Sequence, residues 1–296
     1  MAERLIEHEL AGMRLLGHSL AGEETVVAFP ELNLCFDVGK APAHVIPIDH
    51  VLLSHGHMDH AAGLAYYVSQ RCFVGNSPGT IVCPKPLVEP IHDLLRVWGR
   101  IEGHVSSARV VGLAPGEPFE IRRGLLARAF NVNHGAPSLG YAVVDVRRKL
   151  KPEFADRTGP QLVELKKRGV EIQNTVEVPL VAYCGDTAEG AFLQSDLVRR
   201  ARILILECTF YEDDHVRRAR EGHHLHVRDV ARIIPKLENE WIILTHLSRR
   251  TGLREAKRAL ARLLSPDELG RVRFLMEGRR AQPPPPPTPP TETARE

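Results

Sequence analysis

Short runs of β-branched and aliphatic residues recur along the chain: Thr25 to Phe29, Asn33 to Asp37, Val51 to Ser54, Leu180 to Cys184, Ile203 to Glu207 and Trp241 to Thr245. Runs of this length and composition predict strands. Leu126 to Val132 adds a run with apolar alternation, the period of a half-buried strand. Elsewhere apolar positions return every three or four residues, as in Val227, Val230, Ile233, Ile234 and Leu237, or Leu253, Ala256, Leu260 and Leu263, which predicts helices with one buried face. The order is hairpin-like at the start and βα-alternating later. Two packed sheets with helices on their outer faces satisfy that order, and so does a single doubly wound sheet.

The pattern stops after Gln282. Five consecutive prolines, Pro283 to Pro287, are followed by threonine, proline and acidic residues with nothing apolar to bury, so residues 281–296 are expected to be a Pro-rich disordered tail. No repeat of fixed period and no Gly/Ser linker divides residues 1–280, which are expected to form one domain.

Composition adds three points. With 296 residues, 43% of them hydrophobic, the chain can fill a large core. The N-terminal stretch mixes charged and apolar residues, with no h-region and no membrane-spanning run, so a cytoplasmic protein is expected. Cys35, Cys72, Cys83, Cys184 and Cys208 are odd in number and lack CxxC spacing, which argues against a disulfide framework and a thiolate metal site. The anomaly is fifteen histidines beside five tyrosines and two tryptophans, an excess that suggests a use for imidazole. A net charge of +2 does not announce a nucleic-acid ligand, so any such case depends on local clusters. These occur at Arg147, Arg148, Lys149 and Lys151, at Lys166, Lys167 and Arg168, and along Arg249, Arg250, Arg254, Lys257 and Arg258; each alone also fits a solvated face.

The chemistry concentrates at Ser54-His55-Gly56-His57-Met58-Asp59-His60, where an apolar strand runs into three histidines and an aspartate. In extended backbone, residues i and i+2 share a side, so His55 and His57 can hold one metal ion. As the backbone turns into a helix, Asp59 and His60 reach a second position nearby. Two ions need further ligands, and these follow later strands: His134 after Leu126 to Val132, Asp186 after Leu180 to Cys184, and His246 after Trp241 to Thr245. Together they complete His55, His57 and His134 on one ion, Asp59, His60 and His246 on the other, and Asp186 as a bridge. Imidazole-rich donors favour two Zn2+ ions, although a set of only nitrogen and oxygen also accepts Mn2+ or Fe2+.

Through the HxHxDH motif and the ordered histidine, aspartate and histidine after it, the sequence resembles the metallo-β-lactamase superfamily. That resemblance implies an α/β fold, a four-layer αββα sandwich. Phe36-Asp37-Val38-Gly39, Gly63-Leu64, Gly140-Tyr141 and Cys184-Gly185-Asp186-Thr187 are similar to the ribonuclease Z family within it. The likeness is to its short, plant-like form, through Ala21 to Thr25, Ser54 to His60 and Thr245 to Ser248, and covers roughly residues 10 to 278. Glu207-Cys208-Thr209-Phe210 resembles that family's Glu-Ala-Thr-Phe signature, and Gly222 to His226 its second histidine loop. By that likeness His224 contacts the scissile phosphate and Glu207 orients its ring, with His226 the alternative to His224 and His223 read as a helix cap. The remaining histidines, His8, His18, His44, His92, His104 and His215, are read as surface, and His50 as packed or solvated.

The implied reaction is zinc-dependent removal of the 3′ trailer from precursor tRNA by attack of metal-activated water on phosphorus, with Asp59 orienting that water. A reduced arm at about 146–176, carrying Arg147, Arg148, Lys149, Lys151, Lys166, Lys167 and Arg168, would dock the RNA, and family likeness implies a homodimer. Two other readings share the motifs: a dimetal phosphodiesterase for small or cyclic diesters, and a non-catalytic RNA-binding subunit of the same fold.

Overall fold

The computed structural model describes residues 5–280, so the Pro-rich tail expected at 281–296 lies outside the described residues. The chain builds two sheets, one from each half. The first runs in order from β1 (Ile6–Leu10) through β2 (Met13–Leu20), β3 (Glu24–Phe29), β4 (Leu34–Phe36), β5 (His50–Leu52) and β6 (Thr80–Pro84) to β7 (Arg109–Leu113). The second runs from β8 (Pro118–Arg122) through β9 (Leu125–Asn131), β10 (Leu139–Leu150), β11 (Gln173–Tyr183), β12 (Ile203–Glu207) and β13 (Trp241–Thr245) to β14 (Val272–Phe274). A final strand, β15 (Arg279–Arg280), returns to the first sheet and pairs with β1.

Both sheets follow one plan. Four strands pair antiparallel, and the fourth then begins a parallel series, β4 to β7 in one and β11 to β14 in the other. The antiparallel hairpins of each half exclude the doubly wound alternative.

Alternation along the strands explains the layers. Ile203, Ile205 and Ile243 face the first sheet and pack with Val27, Phe36, Leu52 and Tyr183. The intervening Leu204, Leu206, Ile242 and Leu244 point the other way, onto Val227, Val230 and Ile233 of a helix and Ala256 and Leu260 of another. Both faces are covered, so these strands are apolar throughout. The first sheet does the same, turning Val26, Ala28, Val51 and Ile81 onto Tyr67, Val68 and Ile91. Each large aliphatic side chain buried in this way contributes about 1.5–3 kcal/mol. The result is the αββα sandwich.

The helices that form the outer layers and loops are α1 (Met58–Ala61), α2 (Leu64–Phe73), α3 (Val88–Glu102), α4 (Gly159–Lys167), α5 (Asp196–Arg199), α6 (Val216–Glu221), α7 (Val227–Ile233), α8 (Leu253–Ala261) and α9 (Pro266–Gly270). β10 and β11 outrun their neighbours: Arg147 to Leu150 pair with Gln173 to Val176 beyond the reach of β9, and α4, with no buried residue, sits between them. Among the described residues no helix is long and apolar enough to cross a membrane.

One surface assignment fails. His8 is buried, and its Nε2 lies 2.8 Å from the Leu275 carbonyl, because the segment leading to β15 covers β1. His18 and His44 are partly buried, whereas His92 and His104 are exposed. His50 packs as expected, with Nδ1 3.0 Å from the Asn33 carbonyl.

The turn after β4 and the start of α2 lock the metal-motif loop between them. Val38 and Gly39 N–H donate to the His60 carbonyl at 3.0 and 3.1 Å, and Gly63 N–H to the Gly39 carbonyl at 2.7 Å. A Cβ at Gly63 would fall 2.4 Å from the Ala41 nitrogen. Gly63→Ala should therefore cost about 1–3 kcal/mol of stability through overpacking against backbone, read as a lower denaturation midpoint. An unchanged midpoint would mean that the 38–41 backbone yields freely.

Candidate metal centre

The first donors come from the end of β5. Backbone pairing continues one residue past it, Leu53 N–H to the Val82 carbonyl at 2.8 Å, and His57, itself in extended conformation, directly precedes α1. His55 and His57 thus leave the short segment between strand and helix, while Asp59 and His60 occupy the first turn of a helix. The other donors arrive at the same rim. His134 lies three residues beyond β9 and Asp186 three beyond β11, and His246 directly follows β13. His246 adopts φ 60°, the left-handed region, and is held there by its N–H donating to Ser19 Oγ at 2.8 Å.

One potential ligand atom from each of His55, His57, His134 and Asp186 lies within 4.8 Å of all the others. Within the same limit lie Asp59, His60 and His246 as a second group, and Asp186, His224 and His246 as a third. All seven metal-ligand positions expected from the sequence therefore meet, with Asp186 common to two groups.

The donor atoms fit cations. Nε2 of His55 and of His60 is buried without a hydrogen-bond partner, facing the Asp186 carboxylate at 3.8 and 3.4 Å. Buried ring nitrogens of this kind need a partner, and a divalent ion, which takes the place of a proton among imidazoles and carboxylates, supplies one. Burial, reinforced by the His60 charge, holds the His55 pKa down at about 2, so its ring is neutral. Burial would raise Asp186, but the charges of His246 and His60 outweigh it and hold the carboxylate well below its ordinary range. Asp59 is likewise held low, against its burial, by the hydrogen bond from His246 and the charge of His60.

A second set of groups orients the rings. Asp37 directly follows β4 and is fully buried; its carboxylate accepts from His60 Nδ1 (2.6 Å), Ser54 N–H (2.6 Å), Ser54 Oγ (2.8 Å) and Tyr183 OH (2.5 Å). Since Ser54 Oγ donates to Asp37, it is left to accept from His55 Nδ1 at 3.0 Å. Glu207, at the end of β12, does the same on the other side. It accepts from His224 Nδ1 (2.7 Å), Thr187 N–H (2.8 Å), Leu225 N–H (3.1 Å) and Thr209 Oγ (2.6 Å), and Thr209 Oγ in turn accepts from His246 Nδ1 at 2.9 Å. In these four rings, His55, His60, His224 and His246, Nδ1 is committed outward and Nε2 faces inward, whereas His57 turns its Nδ1 toward His134 Nε2 at 3.3 Å. Sequence reasoning did not name Asp37, Ser54 or Thr209 for this role. The usable signal was a carboxylate placed straight after a buried apolar strand.

The three histidines of the second loop take different places. His224 borders the cavity above the cluster, a space of about 460 Å3 that also touches His57, Asp59 and Asp186. Burial would lower the His224 pKa, but the Glu207 charge and hydrogen bond raise it to about 9. His226 points away: its Nδ1 accepts from Arg228 N–H at 3.2 Å and its Nε2 lies 3.0 Å from the Glu212 carbonyl, so it caps α7. His223, expected as the cap, is instead exposed at φ 54°, because the turn out of α6 brings the chain to the helix start three residues later. His215 is partly buried against Glu212 at 2.9 Å. The basic residues expected to meet RNA lie elsewhere. Arg147, Arg148 and Lys149 end β10, Lys151 follows it, and Lys166, Lys167 and Arg168 lie at the end of α4.

Residues 28–247 match the β-lactamase superfamily domain. The chain is 35% identical over 274 residues to tRNase Z TRZ1 of Arabidopsis thaliana, spanning 91% of this chain and 97% of that one. It is 33% identical over 264 residues to the chloroplastic tRNase Z TRZ2 of the same plant, 87% and 73% of the two chains. The crystal structure of the short form of human tRNase Z shares the fold, with a TM-score of 0.53 at 17% identity over 83% of this chain and 92% of that one.

Asp37 gives the outer groups a test. Asp37→Asn keeps the shape but loses one strong acceptor for His60, and metal affinity should fall roughly 10–100-fold, measured by competition with a chelator. Undiminished affinity would reduce Asp37 to a packing role.

Proposed function

Because the chain belongs to the β-lactamase superfamily and, within it, to the tRNase Z family, we propose that it is a metal-dependent endoribonuclease that removes the 3′ trailer from precursor tRNA. The observation that carries the reading is His224, held 2.7 Å from a fully buried carboxylate at the edge of a cavity that the metal-binding side chains also border. Hydrolysis of a phosphodiester gathers negative charge on phosphoryl oxygens, and a fixed imidazolium is a donor suited to it.

In this reading His55, His57 and His134 would hold one Zn2+ and Asp59, His60 and His246 a second, with Asp186 shared between them. Ions there would supply Lewis acidity toward water and a phosphoryl oxygen. The chain's own groups do the rest. Asp59 Oδ2 is fixed by the Gly22 N–H at 2.8 Å, which leaves its other oxygen to orient the attacking water. His224 commits Nδ1 to Glu207 and keeps Nε2 for the scissile phosphate or the departing 3′ oxygen. With its pKa raised to about 9, His224 is protonated at neutral pH and loses that proton only as pH climbs through that value. Products would be tRNA with a 3′ hydroxyl and a trailer with a 5′ phosphate.

The extended β10–β11 hairpin with α4 is proposed as a reduced RNA-docking arm at about 146–176, its cations neutralising phosphates along an RNA helix. A homodimer is part of the reading, the arm of one subunit serving the site of the other. Leu94, Val97, Trp98 and Ile101 are exposed on α3, an apolar stripe that favours a partner surface. Five free cysteines, four of them buried, suit a reducing compartment, and we place the work in the cytoplasm. A phosphodiesterase for small or cyclic diesters would use the same centre, and the complete donor set disfavours a non-catalytic subunit.

Cleavage of a precursor tRNA, mapped at the nucleotide level beside a cyclic-nucleotide assay, decides between the two enzymes. His224→Ala should lose about 10²–10⁴-fold in rate with metal content intact. Turnover equal to wild type would remove His224 from the chemistry, and cleavage of only the cyclic substrate would overturn the tRNA assignment.

Reversing charge at Lys166, Lys167 and Arg168 should raise KM for precursor tRNA and spare a small chromogenic diester. Mixing this variant with His224→Ala should restore part of the activity, since one intact site in each mixed dimer then meets one intact arm. No recovery in mixed dimers would refute docking across subunits.

A further inference from the structure

Arg218 borders the metal cavity and has no part in the chemistry described so far. It lies on α6, the segment leading into the His224 loop. Ala219 anchors that helix by burial, and the neighbouring Arg217 pairs with Glu221 at 3.2 Å. Arg218 is exposed, and no ion pair involves its guanidinium among the described residues.

The helix and the loop form one rigid piece. Gly222 N–H donates to the Arg218 carbonyl at 2.9 Å, His223 N–H to Arg220 at 3.3 Å and His224 N–H to Ala219 at 2.9 Å. Gly222 sits at the crossing: a Cβ there would come within 3.1 Å of the His224 ring and 3.2 Å of the Arg218 carbonyl. The backbone of Arg218 is therefore placed in fixed register with the ring of His224. An anion held by one has a defined position relative to the other.

The cavity floor, with its imidazoles and the carboxylates of Asp59 and Asp186, is arranged for the linkage that breaks. A free guanidinium at the border has a different use, since its planar fork matches a phosphate and carries its charge at every working pH. We propose that Arg218 binds the non-scissile phosphate adjoining the linkage under attack, so that the site selects polynucleotide chains over isolated diesters. The inference deepens the endoribonuclease reading and rests on it for the substrate class. Arg250 borders the same cavity but belongs to the loop after β13, so its register with His224 is not fixed by these bonds.

Arg218→Ala and Arg218→Lys would be compared with wild type in three measurements. They are cleavage of a short single-stranded RNA bearing at least two phosphodiesters, hydrolysis of a one-phosphate chromogenic diester, and the salt dependence of binding to a non-cleavable RNA strand. Arg218→Ala should lower kcat/KM on the RNA about tenfold, as loss of one charged hydrogen-bonding group does. The effect should fall mainly on KM, with the chromogenic diester within about twofold of wild type. The slope of log affinity against log salt should become shallower by about 0.7, the value for one phosphate contact on a single strand. Arg218→Lys, keeping charge but not the fork, should recover most of the slope and only part of kcat/KM. Equal losses on both substrates, or an unchanged slope, would overturn the proposal. Should wild type leave precursor tRNA uncut, the endoribonuclease reading fails on its own test, and the salt slope still decides whether Arg218 contacts phosphate.

Discussion

A buried carboxylate shared among imidazoles from both halves of the chain is the constraint on which this structure turns. Asp186 is almost completely buried, a position in which an isolated carboxylate would take up a proton. It stays ionised because His246 Nε2 and His60 Nε2 lie 3.2 and 3.4 Å away. His60 comes from the first half of the chain and Asp186 and His246 from the second. The two sheets must therefore pack in one relative position for any of these groups to be tolerated, and that position assembles the metal-binding set.

Asp37 and Glu207 extend the same logic outward. Each is fully buried, closes a strand and accepts four hydrogen bonds, so neither adds an uncompensated charge to the core. Their neighbours Ser54 and Thr209 pass the polarity on: each hydroxyl donates to the carboxylate and accepts from a histidine. Networks of this kind fix tautomer and ring angle together. The two sides differ in what they hold. Asp37 serves rings that face the buried cluster, whereas Glu207 holds His224 beside the open cavity, which makes the latter ring a donor rather than a ligand in the proposed chemistry.

In the proposed reading, substrate handling separates from this buried machinery. The cavity is bordered by Arg218 and Arg250, while the long β10–β11 hairpin carries its cations away from the metal donors. A substrate with one phosphate needs only the first region. In the proposed reading a folded RNA would use both, and the extra contacts would provide selectivity without altering the reacting centre.

Local physics made much of this legible in the sequence. Ile203–Glu207 and Trp241–Thr245 are strands with the expected limits, and α7 starts at Val227 as its spacing required. The HxHxDH segment announced its chemistry because ligands two residues apart on extended backbone share a side whatever surrounds them. β1, β2 and β7 gave weaker signals, since edge and hairpin strands mix polar residues and gain their stability from partners distant in sequence. The same limit hid the roles of His8, His226 and Asp37. A histidine's sequence neighbours do not reveal whether another strand will cover it, whether its ring will turn back to cap a helix, or which carboxylate will lie beneath it. Residue types and short spacings thus determined that imidazoles and carboxylates would bind metal at strand ends. Sheet register and packing, which bring together groups as far apart as Asp59 and His246, decided which atoms face one another and which ring is left at the edge of the cavity.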